Sequence, residues 1–292
     1  MTPRLLFALL LILAAPGLAT ATAAEGQAAY DRKDWPACAR LFAAAARSAE
    51  GLRRALIFQS AACCAALGGD RDEAFRLLAL SAQHGLREVS QVTKDTDLDS
   101  LHADPRWAGA VAAVKRNEDA FLASIGNPAL RTEILAMAQE DQAVRRPFMQ
   151  GGKPTDEDRD RARGADARHR ARMKEIVAAN GWPGRKLVGE DGAKAAWLLV
   201  QHADRDRAFQ KQCLALLEKV VKAGDANGKE LAYLTDRVAV AEGRKQTYGT
   251  QFSGSDPDPT EDEENVDERR KAVGLPTMEE YRRQVQEMYG PR

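Results

Sequence analysis

From Ala193 to Val200 the chain reads AKAAWLLV, apolar almost all the way round a helix, and then ends on Gln201, His202 and Asp204. That pattern predicts a buried helix that delivers polar groups at its end. The next segment carries Phe209, Cys213, Leu216, Leu217, Val220 and Val221 at three- and four-residue spacing, and the one after it Leu231, Leu234, Val238 and Ala241. These stripes should pack together. On the third helix Asp236 falls roughly opposite the leucine stripe, at about 100° per residue. From Gln246 the periodicity changes to alternation, with Gln246, Tyr248, Thr250 and Phe252 on one face, as in a strand.

Upstream, a helix over 127–148 turns Leu130, Ile134, Met137 and Ala138 inward and ends in Glu140, Asp141, Gln142, Arg145 and Arg146. Thr155 with Asp158 opens a long helix. Its mixed charges from Arg159 to Lys174 read as a solvated face, with His169 exposed on it. Trp182-Pro183-Gly184 ends that helix. After Phe252, residues 256–268 hold eight acids and no base, interrupted by Pro257 and Pro259, which predicts a flexible acidic loop. A helix with Arg269 and Arg270 follows, Gly274 ends it, and Thr277 with Glu280 caps a last helix reaching Tyr289. The expected fold is mainly all-α, with a small β element near Gln246–Phe252.

Residues 25–116 resemble a tetratricopeptide array. Ala62, Ala65, Gly68, Ala74, Leu78 and Ser81 stand where that repeat places small residues at the helix contact and a large one where the second helix packs. Tyr30, Ala39, Ala43 and Ala46 repeat the pattern earlier, Ala39 and Ala74 lying 35 positions apart against the repeat's usual spacing of about 34. Asp104, Pro105, Arg106 and Trp107 open a short closing helix. The resemblance implies a groove for a peptide or protein partner; a spacer or capping platform is the equal alternative. So short a stack should lean on the C-terminal domain or on a bridge between helices.

Composition adds the compartment. Arg4, the apolar run Leu5 to Ala15 and the small residues before Ala24 make residues 1–24 an export signal. The run is too short for a membrane span of about 20 residues. No cysteine sits at the cleavage site and no later stretch could cross a membrane, so a soluble periplasmic or secreted protein starting near Glu25 is expected. Its 43 basic and 43 acidic side chains give no excess for nucleic acid. In an oxidising compartment the four cysteines allow one structural bridge. Cys38 and the pair Cys63/Cys64 lie at comparable distances from the Ser48–Gly51 connection, so Cys38 can reach Cys63 or Cys64, but only one of the two.

A second resemblance covers Asp119 to Tyr289. Gly181-Trp182-Pro183, Gly189, Gln201-His202-Ala203-Asp204, Asp236-Arg237, Gln246, Tyr248-Gly249-Thr250-Gln251, Asp267, Arg269-Arg270, Gly274-Leu275 and Tyr281 follow the motif order of a bacterial domain-of-unknown-function family. The resemblance implies a mostly helical domain over 117–292 whose first and last parts fold back over its centre. No activity comes with it.

Candidate chemistry follows from the polar residues at the element ends. Each carries a desolvation cost unless partnered, so they should converge on one polar pocket. His202 is the candidate general acid or base, with Asp236 or Asp204 orienting it. Asp141, Gln142, Arg145, Arg237, Gln246, Tyr248, Thr250, Gln251 and Arg270 are the candidate ligand contacts, suited to a polar or anionic small ligand. A satisfied core histidine is the competing reading for His202. No serine occurs between Gly126 and Phe252, which removes a serine nucleophile from this region. Cys213 sits on an apolar stripe. No spacing calls for a metal or a cofactor: His169 and His202 could join Asp166, Asp204 or Asp236 at an ion, but nothing requires it. Two classes therefore stand: an exported binding or interaction protein, and a hydrolase or lyase using His202.

Overall fold

The computed structural model describes residues 18–149, 154–253 and 256–289. Most of the export-signal segment lies outside the described residues. Helices dominate, as the patterning predicts, and the chain divides into two compact units, one ending at Ala123 and the other beginning at Ser124.

The first unit is built of α1 (Leu18–Asp31), α2 (Trp35–Ser48), α3 (Gly51–Leu67), α4 (Arg71–Gln83), α5 (Val89–Thr93), a 3-10 turn (Thr96–Leu101) and α6 (Trp107–Ser124). Helices α1 to α4 pack in sequence order. Two of the turns between them share one construction. Lys33 and Gly69 take positive φ, and the following Asp34 and Asp70 accept hydrogen bonds from the amides of Ala37 and Glu73. Each aspartate thereby satisfies one of the orphan amides of a helix start. The core is rich in alanine, including Ala39, Ala43, Ala46, Ala55, Ala61, Ala62 and Ala65, which allows close helix approach. Gly26 serves the same end, because a Cβ there would lie 3.0 Å from the Phe42 ring. Ser81 Oγ donates to the Ala55 carbonyl at 2.6 Å, joining α4 to α3. The disulfide joins Cys38 to Cys64, with Cα atoms 5.8 Å apart, and leaves Cys63 reduced.

The second unit holds α7 (Pro128–Met149), α8 (Asp156–Asn180), α9 (Arg185–Gln201), α10 (Arg207–Lys222), α11 (Gly228–Ala241), α12 (Val266–Ala272) and α13 (Met278–Tyr289). α9 is kinked at Gly189, whose φ of 74° no other residue adopts cheaply. Val188 just before the kink and Ala193, Ala196, Leu199 and Val200 beyond it are buried with Ile134, Met173, Phe209, Cys213, Leu217, Leu234 and Val238. The buried central helix and the two stripes packed on it are thus as the periodicity predicts.

Three local expectations fail. The small β element is present but shorter than the alternation predicts: residues 247–251 are not a strand, and the strands among the described residues are β1 (Phe252–Ser253) and β2 (Asp256–Pro257), paired antiparallel, plus an isolated bridge between Gln246 and Thr260. The alternation is overridden because side chains, not a neighbouring strand, take up most backbone groups of 247–250. The acidic stretch 256–268 is no loose loop, since β2, a 3-10 turn (Glu263–Asn265) and the first turn of α12 lie within it. Its backbone bonds to Gln246 and Gln251 fix its course. His169 is not exposed: it is 4% accessible, with Nε2 2.9 Å from Glu140 Oε2.

Candidate functional site

His202 caps the C-terminus of α9 and places Nδ1 2.8 Å from Asp141 Oδ2 on α7. Asp141 is 1% accessible. Gln142 Nε2 donates to the same oxygen at 2.9 Å, and Arg145 Nη1 meets Oδ1 at 2.9 Å. Arg145 extends the chain through Nη2 to Asp166 Oδ1 of α8 at 2.7 Å. Burial works to raise the Asp141 pKa, but the hydrogen bond from His202 and the charge of Arg145 outweigh it and hold the group below its ordinary value. Asp141 is therefore an acceptor-only carboxylate, so Nδ1 carries the proton shared between them. In the neutral imidazole Nε2 is then the lone-pair nitrogen, and no hydrogen bond to it is seen among the described residues. The His202 side chain keeps 22% of its surface accessible.

Asp204, two residues on, belongs to a separate pairing. Arg237 of α11 grips it with Nε at 2.8 Å and Nη2 at 2.6 Å, a bidentate fork. Gln210, fully buried, donates to Asp204 and to the carbonyls of Val200 and Gln201, which closes the end of α9. Arg237 Nη1 also reaches Gln251 Oε1 at 3.4 Å.

Asp236 is engaged elsewhere. Its carboxylate, fully buried, accepts from the backbone amides of Thr247, Tyr248 and Thr250 at 2.7, 3.0 and 2.9 Å and from Thr250 Oγ1 at 2.9 Å. Gln246, equally buried, donates to the carbonyls of Gln251 and Asp258 and accepts from the Gln251 amide. From the other side Arg270, with no accessible surface, donates to the carbonyls of Pro276, Tyr248 and Gly249 and lies over the Tyr281 ring. Burial pulls the Arg270 pKa down. Arg269 holds the Thr247, Glu261 and Asp262 carbonyls. Gly249, at φ 66°, is approached by Met278, whose sulfur would lie 2.6 Å from an added Cβ, so the close neighbour there is the protein itself.

The twelve residues singled out in the sequence thus fall into different places. His202, Asp141, Gln142 and Arg145 come together. Asp236, Gln246, Thr250 and Arg270 build a loop, and Arg237 with Gln251 lies between Asp204 and that loop. Tyr248 lends its amide to Asp236 and its carbonyl to Arg270, while its half-buried hydroxyl has no partner among the described residues. The carboxylate that orients His202 is Asp141, not Asp236 or Asp204. Cys38 takes Cys64 rather than Cys63. The pairing of Asp166 with Arg145 and of Glu140 with the buried His169 escaped sequence reasoning; the signal is faint, since Asp166 and His169 lie on a helix that looks solvated throughout and Glu140 on another. A cleft of about 280 Å3 lies between the start of α7 and the end of α8, and one of about 640 Å3 between residues 257–260 and helices α12 and α13. His202, Asp236, Gln246 and Tyr248 line neither of these two clefts.

None of the helices is long and apolar enough among the described residues to cross a membrane. Neither the curated proteins nor the solved structures yield a match. A family model does match, over residues 128–292, beginning at the first residue of α7 and taking in the His202, Asp204 and Asp236 groups alike. The chain belongs to that family, which is described as a family of unknown function, DUF6624.

Proposed function

We propose that this is an exported binding protein whose C-terminal unit takes a polar ligand at His202. The observation that carries the reading is the 2.8 Å contact between His202 Nδ1 and the buried Asp141. It fixes the tautomer and aims a hydrogen-bond acceptor, Nε2, away from the protein. A ligand hydroxyl or amide N–H is the complementary group. Arg145 and Arg237 are each already paired with carboxylates, which favours a neutral, hydroxyl-rich ligand over an anionic one. In the same proposal the N-terminal helices are a short tetratricopeptide-like stack that holds a peptide or protein partner, and residues 1–24 direct the chain to the periplasm or outside. The matching turns at Lys33-Asp34 and Gly69-Asp70 support a repeat.

The same contact supports a second reading, a hydrolase or lyase. Here His202 Nε2 accepts a proton from water or substrate, and Asp141 steadies the imidazolium that forms. Asp141 then fills the orienting role.

Spectra of protein labelled with 15N-histidine test both. In its uncharged form His202 should show a protonated Nδ1 and an acceptor Nε2, and the Nε2 signal should move on addition of neutral sugars or polyols. Release of nitrophenol from chromogenic esters and glycosides that is lost in His202→Gln would select the enzyme. An Nε2 signal unmoved by every compound, with no turnover, would sink both readings and leave His202 as scaffolding. A mature N-terminus at Glu25 in the periplasmic fraction is the expected result for export; an intact Met1 in the cytosol is the opposing one.

A further inference from the structure

The N-terminal unit carries its own constellation of ionisable side chains. Tyr30 of α1 donates through its hydroxyl to Asp97 Oδ2 at 2.8 Å. Cys63 of α3, 6% accessible, lies with Sγ 3.2 Å from Asp95 Oδ2. Sulfur and carboxylate oxygens of Cys63, Asp95 and Asp97 all fall within 4.8 Å of one another. The fold produces this grouping in two steps. Cys64 is turned to Cys38 by the disulfide, and because helix neighbours point about 100° apart, Cys63 faces elsewhere. Asp95 caps the 3-10 turn by accepting from the Asp97 amide through Oδ1, which leaves Oδ2 toward the thiol.

What the grouping lacks is positive charge. Among the described residues no lysine, arginine or histidine forms an ion pair with Asp95 or Asp97. Two half-buried carboxylates without an ion-pair partner among the described residues, set around a buried thiol, leave their negative charge uncompensated.

We propose that Cys63, Asp95 and Asp97 form a metal site selective for a borderline divalent ion, Zn2+ above all. One thiolate with two carboxylates is a poor set for Ca2+ or Mg2+, which take oxygen alone, and a good one for zinc. Tetrahedral zinc sets sulfur and oxygen ligands about 3.5 Å apart and oxygens about 3.3 Å apart. The Cys63–Asp95 separation is already close to that, and rotation of the Asp97 carboxylate closes the rest. On binding, Cys63 loses its proton to solvent and the sulfur lone pair enters the metal coordination sphere. Water fills the fourth position. Tyr30 stays neutral and holds Asp97 in place as an outer-shell donor. The ion would tie α3 to the 3-10 turn, and through Tyr30 to α1.

The test uses the full chain with its disulfide intact, titrated with Co2+ and then Zn2+. One equivalent of Co2+ should produce thiolate-to-cobalt charge-transfer absorption that Zn2+ abolishes. The band should vanish in Cys63→Ser, weaken at least tenfold in affinity in Asp97→Asn, and persist in Cys213→Ser. No charge-transfer band in the unaltered protein, or an undiminished one in Cys63→Ser, overturns the site. Should the variants fail to fold, X-ray absorption of the zinc-loaded unaltered protein decides alone. One sulfur at about 2.3 Å among oxygens supports the site, and an all-oxygen shell overturns it.

Discussion

Asp141 Oδ2 receives His202 Nδ1 at 2.8 Å while Asp141 Oδ1 faces Arg145 at 2.9 Å, so one buried carboxylate joins the end of α9 to α7 and fixes the direction of the imidazole. Arg145 passes the connection to Asp166 on α8. Three helices that pack mainly through apolar contacts are thereby locked at one end by a polar chain whose exposed terminus is His202 Nε2.

Asp141→Asn separates orientation from packing. The amide keeps the shape but can present N–H to Nδ1, which would favour the opposite tautomer. The expected result is a changed His202 tautomer in 15N spectra, loss of any polyol-induced shift or turnover, and a stability loss of about 1–3 kcal/mol in denaturant melts. An unchanged tautomer would show that Asp141 does not set it.

Asp236→Ala should act on stability. It removes the acceptor for three backbone amides and one hydroxyl in a buried loop. A cost of about 3 kcal/mol or more is expected, since each stranded buried donor costs about 1–3 kcal/mol. His202→Ala, at a partly exposed position with Asp141 still held by Arg145, should cost far less. Comparable midpoints for the two variants in urea would contradict the division of roles drawn between them.

Acid should unfold the C-terminal unit through Asp141 and Asp204. At Asp204 burial raises the pKa and the Arg237 fork more than offsets it, so both groups sit below their ordinary value. A depressed folded pKa contributes stability that is present above the unfolded value, about 3.9 for aspartate, and is lost as pH falls through the folded one. Stability should be insensitive to these two groups from pH 7 to about 5 and fall below about pH 4. Asp204→Asn should flatten that acid limb. An acid limb of equal slope in the variant would assign the effect to other carboxylates.

Cysteine chemistry should divide two and two. Unfolded without reductant, the protein should alkylate at Cys63 and Cys213 only, with Cys38 and Cys64 reacting after reduction. In the native state the two thiols should resist alkylation, since burial pushes Cys63 well up and Cys213 up to about 12. Reduction should cost about 3 kcal/mol for a loop of this length. Four alkylated cysteines in unreduced protein, read by mass spectrometry, would exclude the bridge.

Hydrophobic periodicity sufficed for the helices, the buried run Ala193–Val200 and the stripes packed on it, because a 3.6-residue repeat of apolar side chains has one way to leave water. The same local logic restricted Cys38 to one of two partners. Which polar residues would meet was decided only by tertiary structure. Asp141 and His202 lie 61 positions apart and Arg270 reaches the Tyr248 carbonyl across 22, distances over which local pattern carries no information. The alternation at 246–252 looked like a strand because it has a strand's period. Asp236 and Arg270 satisfy the backbone of 247–250 from outside, so that stretch needs no β partner, and pairing is confined to Gln246 and Phe252 at its ends. Polar side chains at helix ends announced that they needed partners, since burying them alone is costly; the folded chain determined that most were partners for backbone, and that His202 kept one nitrogen unpaired.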